Sequence, residues 1–218
     1  MSYPHERQIE YWTSRAIEEY FANQGYSVVV IPNSQRAENL IPFDHLFAGN
    51  QIKVFGLQYK RLYPQRDHWH LEEEQHRRLR GFSWIYYALS EVRSIREQRN
   101  ALHLLKIVEP HLVPWIYPLP QLPVAYLSGK HGTISYVRWG GFIQAVFACD
   151  YGCRLGDEQD VRLVFAQVRE LADALIDIYF VASGREQALV RVSPFVTDLE
   201  GEQEFDWGFE TGGESSNR

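Results

Sequence analysis

Apolar residues recur at helical spacing between positions 6 and 23, where Ile9, Trp12, Ala16, Ile17, Tyr20 and Phe21 form one stripe and Gly25 supplies a stop. The pattern then changes period. Tyr26 to Pro32 is a β-branched run suited to a buried strand, and residues 33–41 form a polar loop. From Ile41 to Arg61 a short apolar run, a Gly49-Asn50 turn signal and a longer β-branched and aromatic run predict a hairpin. Leu71 to Arg80 reads as a helix, acidic at its start and basic at its end as the helix dipole favours, with Gly81 as its stop. Phe82 to Ser90 is mostly apolar and predicts a central strand.

The second half is less regular. Pro110, Pro114, Pro118, Pro120 and Pro123 mark an irregular crossing segment. Val124 to Leu127 and Thr133 to Val137 are expected as strands around the loop Gly129 to Gly132, which lacks the spacing and following helix of a phosphate-binding P-loop. Asp160 is placed to cap a long helix whose stripe runs through Val161, Val164, Phe165, Val168, Leu171, Leu175 and Ile178 and stops at Gly184. Ala188 to Val192 is expected as a last strand.

Composition narrows the class. A chain of 218 residues with 45% hydrophobic and 14% aromatic content can bury a sizeable core. No run approaches the ~18 apolar residues of a membrane span, and the first residues hold no apolar signal-peptide core. Cys149 and Cys153 are the two cysteines, too few for a secreted disulfide scaffold, and buried or loop thiols are their expected state. The expected location is cytoplasmic. The net charge of −6 sits in residues 198–218, which hold seven acids and one base, so the rest of the chain is balanced. That acidic segment, with Phe205, Trp207 and Phe209, is expected to be disordered and to engage a protein partner or the basic surface.

Candidate chemistry gathers in the predicted hairpin. Asp44 begins one strand after a proline; Gln58 and Lys60, two apart on the other, share a face while Tyr59 points away. An acid, an amide oxygen and an ammonium brought together can hold a divalent cation beside a phosphate. A turn of only Gly49-Asn50 would pair Asp44 with Phe55 and put Gln58 on the wrong face, so the site needs an odd-length turn or a bulge at Gly56.

The stretch Pro42-Phe43-Asp44 through Gln58-Tyr59-Lys60 resembles the PD-(D/E)XK nuclease superfamily in the variant with glutamine as second acid. Leu57 to Tyr63 is most similar to Mrr-like restriction endonucleases, with a looser similarity to archaeal Holliday-junction resolvases. The resemblance spans about residues 5 to 92, in the element order αβββαβ. It implies an α/β protein: a restriction-endonuclease-like core with a mixed central sheet over residues 1–109, and an α+β accessory layer over 110–197. It further implies a metal-dependent DNA endonuclease of restriction, defence or repair type, pairing as a homodimer to cut both strands.

In that reading Asp44, Gln58 and the Tyr59 carbonyl hold Mg²⁺ or Mn²⁺, and Lys60 orients the attacking water. The first-helix glutamate of related families falls at Ser14 or Arg15 here, so Glu10 or Glu18, one turn either side on the same stripe, is the substitute. Arg61, Arg66, His68, His70, Arg77 and Arg78 flank the site as DNA contacts. A zinc site at His68, His70 and His76 lacks further ligands. The missing first-helix glutamate also supports an alternative, a catalytically inactive nuclease-fold module that binds nucleic acid or protein.

Overall fold

The computed structural model describes residues 3–31, 52–63, 65, 67–114, 121–127, 133–155, 163–164, 166–167 and 176–183. They form a mixed α/β protein around a mixed sheet. The first helix, α1 (Glu6–Asn23), buries Ile9, Thr13, Ile17 and Phe21, four residues apart along one stripe. His5 precedes it, its amide donating to Gln8 Oε1 at 2.9 Å, and Gly25 ends it with φ of 78°.

The sheet is organised on β2 (Ile52–Tyr63), twelve residues long. One edge of β2 pairs antiparallel with β8 (Ile176–Ser183), which in turn pairs antiparallel with β1 (Tyr26–Ile31). On the other edge, β7 (Cys153–Leu155) pairs with Ile52–Val54 and β4 (Ile85–Ser90) runs parallel to Gly56–Arg61. Beyond β4 lies the antiparallel β5 (Leu105–Val108). The far end of β2 turns into β3 (His68–His70), which pairs with β6 (Gln121–Pro123).

Two helices complete the layers. The short α2 (Glu73–Leu79) lies in the crossover between β2 and β4, and α3 (Trp139–Ala148) follows the bridge between Ile107 and Val137. Alternation along β2 sorts the core. Phe55, Leu57 and Tyr59 pack with Tyr86, Ala88, Tyr179 and Val181 against α1 and α3. Val54 and Leu62 join Ile85, Tyr87, Leu89, Ile176, Ile178 and Phe180 on the opposite face, where Leu79 of α2 also packs.

Several expectations change. The long helix expected to run to Gly184 gives way to β8 from Ile176 onward. Ile176, Ile178 and Phe180 face one core while Tyr179 and Val181 face the other, a strict period of two that a helical stripe through Ile178 obscures. This strand, from the region expected as an accessory layer, lies inside the main sheet. Val124–Tyr126 is a 3-10 turn, and Thr133 to Val137 contributes one bridge residue instead of a strand.

The expected hairpin also changes. Both edges of β2 over Ile52–Val54 and over Gly56–Gln58 are taken by β8, β7 and β4, so β2 is a central strand there. Its pairing with β8 is continuous through Gly56, with no bulge. Residues 41–47, 188–192 and 198–218 lie outside the described residues. Among those described, no helix is long and apolar enough to cross a membrane.

Candidate functional site

The densest buried polar group joins α1, β2 and β8. Asp177 is the second residue of β8 and stands opposite Leu57 in the register, so it faces α1. Ser14 Oγ donates to Asp177 Oδ2 at 2.7 Å and lies 2.8 Å from Tyr179 Oη. Tyr179 Oη in turn lies 2.7 Å from Tyr59 Oη and donates to Asp177 Oδ2 at 3.4 Å. Glu10, one helical turn before Ser14, is half-buried and hydrogen-bonds Asp177.

Two carboxyl groups in contact cannot both ionise cheaply. Burial, followed by the charge of Asp177 and the hydrogen bond with it, raises Glu10 from its ordinary value to about 7. Burial also raises Asp177, against the opposing effect of hydrogen bonds from Ser14, Glu10 and Tyr179. Tyr59 and Tyr179 are pushed well up, first by burial. The pair therefore keeps a proton well above the ordinary carboxyl range, with a chain of three hydroxyls leading from it into the core.

The opposite face of β2 carries the expected Gln58 and Lys60. Both are buried, at 0% and 3% exposure. Gln58 stands beside Tyr87 of β4 in the parallel register. Its Nε2 donates to the Tyr59 carbonyl at 3.2 Å, while its Oε1 has no hydrogen-bond partner among the described residues. Above Tyr87, His76 Nδ1 of α2 lies 3.0 Å from the Tyr87 hydroxyl. Gln75, beside it in α2, has a second buried amide oxygen without a partner among the described residues.

The sheet thus separates the expected residues into two groups. Gln58 and Lys60 share a face; Glu10 lies across β2 with Asp177. Glu18 is exposed on α1, one turn after Ser14. Asp44 and Arg66 lie outside the described residues. Arg61 stacks over Tyr63 at 4.3 Å, and Tyr63 stacks on the buried His68 at 5.4 Å between ring centroids. His70 is exposed. Arg77 and Arg78 are exposed and both engage Glu74, Arg78 at 2.9 Å.

Sequence reasoning missed Ser14, Asp177 and Tyr179 as site residues. A lone acid between two isoleucines in an apolar run is the signal that would have singled out Asp177.

As ligands for a divalent cation, these residues fit in part. Gln58 Oε1 is a buried oxygen of the kind such a cation takes up, and the Tyr59 carbonyl is adjacent in the chain. Two neutral oxygens need a carboxylate beside them, and Glu10 is engaged on the other face. Among the described residues, no group of three His, Cys, Asp or Glu side chains is placed to hold a metal ion. No protein-family model matches the chain, and no curated protein or solved structure matches it at a significant level.

Proposed function

We propose that this protein is a metal-dependent DNA phosphodiester hydrolase with a restriction-endonuclease-like core. The observation that carries the reading is the pair Gln58 and Lys60, buried side by side on one face of the central strand, with the Gln58 carbonyl oxygen unpartnered among the described residues. Burying an amide oxygen and an ammonium in a core costs stability, and a site for a charged ligand accounts for keeping both. The parallel pairing of β2 with β4 across α2 is the further support.

In this reading Asp44 supplies the carboxylate, and Gln58 and the Tyr59 carbonyl supply neutral oxygens. A bound Mg²⁺ or Mn²⁺ contributes Lewis-acid activation of water and of the phosphoryl oxygen. Lys60 holds its ammonium next to the charge that develops on the phosphate. Glu10 and Asp177, sharing a proton on the other side of β2, act as a buried acid pair and not as ligands in that set. Arg61, set by its stack on Tyr63, meets the DNA backbone.

A second reading, an inactive nuclease-fold module that binds nucleic acid or protein, draws on one observation. By the resemblance, Ser14 or Arg15 takes the place of the first-helix glutamate, and Glu10, one turn before Ser14, is engaged with Asp177.

The test is cleavage of supercoiled, linear, branched, single-stranded and methylated DNA with Mg²⁺ or Mn²⁺. Wild type runs beside Lys60→Ala and the longer Lys60→Met, which fills the buried space. Metal-dependent cutting that both variants lose while folded supports the hydrolase. Cutting retained in a folded variant overturns it, and DNA binding without cutting by any form favours the second reading.

A further inference from the structure

We propose that a cleft on the α1 and α3 side of the sheet, at its β5 edge, binds a quaternary ammonium group. It is a small cleft of about 40 Å³, partly open to solvent, and its walls include Tyr86, Tyr136, Tyr151 and Glu109. Three aliphatic side chains, Ile107, Leu112 and Val137, complete the apolar part. The site is independent of the hydrolase reading.

The lining selects the ligand. Aromatic rings attract cations through their quadrupole, and the attraction grows as water is excluded. Among the described residues no lysine or arginine lines the cleft, whereas Glu109 does, and its charge bears on the Tyr151 hydroxyl. Asp150 adds negative charge beside Tyr151. An anion is therefore repelled, whereas a cation is drawn to the Glu109 carboxylate. A primary ammonium keeps its water tightly. Methyl groups on the nitrogen suit the aliphatic walls and leave the positive charge for the rings and Glu109.

The frame is set before any ligand arrives. The Tyr86 hydroxyl accepts from the Gly152 amide at 2.7 Å and donates to the Ser83 carbonyl at 3.0 Å. Its ring lies 5.3 Å from that of Tyr151 at an angle of 44°. Two local cations bear on the site. Lys106 and Arg138 lie 4.9 and 5.5 Å from the Tyr136 ring, but Glu91 pairs with both, at 2.9 and 2.7 Å. His111 lies 3.5 Å from Glu109 and, when protonated, competes for it.

The full chain, with its tyrosine rings ¹³C-labelled, is titrated with tetramethylammonium chloride and followed by NMR. Ammonium chloride and sodium chloride serve as controls at equal ionic strength. Saturable shifts at Tyr86, Tyr136 and Tyr151 are expected with tetramethylammonium alone. Glu109→Gln should weaken binding about fivefold, and His111→Gln should tighten it about twofold. Tyr136→Ala should weaken it about threefold. Shifts that stay linear and match those with sodium chloride overturn the proposal. So does unchanged affinity in both Glu109→Gln and Tyr136→Ala with the fold retained by circular dichroism. Choline and a trimethyllysine peptide, run in parallel, distinguish a free small molecule from a modified protein tail as the natural source.

Discussion

Ser14 Oγ on the first helix donates to Asp177 Oδ2 at 2.7 Å, across 163 positions of the chain. That bond ties α1 to the start of β8 and fixes the carboxylate that Glu10 must share. The two acids and three hydroxyls around it form a closed polar group inside an otherwise apolar face. Their titration and their removal give measurable consequences.

Glu10 is raised from 4.5 to about 7, by burial first and by Asp177 next. Between those values the folded protein keeps a proton that the unfolded chain has released. The resulting stabilisation is complete below the unfolded value and is lost as pH rises through the folded one. Thermal midpoints should therefore fall between about pH 5 and about pH 8. In Glu10→Gln this part of the slope should disappear; an unchanged slope would rule out the shared proton.

Asp177→Asn keeps the shape and removes a charge from the pair. Glu10 should then titrate closer to an ordinary carboxyl group, as carboxyl-region NMR would report. Asp177→Ala instead leaves Ser14 and Tyr179 without their acceptor and should cost about 1–3 kcal/mol in urea unfolding. If the alanine variant is as stable as the asparagine one, the hydroxyls find other partners and the network is not structural.

Two glycines are held by close approach. At Gly56 a Cβ would meet Ile176 Cγ2 at 3.1 Å and Ile85 Cγ1 at 3.2 Å, so Gly56→Ala should cost about 1–3 kcal/mol through overpacking. Gly152 combines φ of 73° with a Cβ position 2.8 Å from the Val54 carbonyl oxygen. Backbone cannot yield as a side-chain end can, so Gly152→Ala should be the more damaging of the two. Chemical denaturation of both variants checks the order.

Lys106 is buried at 2% exposure, with its ammonium 2.9 Å from Glu91. Glu91→Ala leaves that charge uncompensated and should cost about 3–5 kcal/mol. Lys106→Met should cost less, because Glu91 keeps Arg138 at 2.7 Å and remains partly exposed. Equal losses in the two variants would contradict this asymmetry.

Local pattern made much of the first half legible. The stripe from Ile9 to Phe21, the stop at Gly25 and the helix ending before Gly81 all appear as read, as do the strands containing Val28 and Leu89. The facing of Gln58 and Lys60 followed from strand alternation alone. What pattern did not reveal was the neighbour of β2, since pairing depends on contacts between residues more than a hundred positions apart. Ile176 to Val181 fits a helix stripe and a strand equally in one dimension, and only burial on both faces decides between them. Glu10 was singled out by its place near Ser14, but its partner Asp177 was hidden by the same misreading.

The position of β8 also bears on how the chain becomes folded. Among the described residues β1 pairs with β8 alone, so the β1 side of the sheet waits for a strand made some 150 residues later. Among the described residues, Tyr26–Ile31 and the β8 side of Ile52–Gln58 have no strand to pair with until Ser183 has emerged. Open edges recruit strands from other molecules, and late, long-range closure slows folding. A chain interrupted after residue 109 would lack β6, β7 and β8 together and be prone to aggregate, and of the three β8 covers the most of the N-terminal strands.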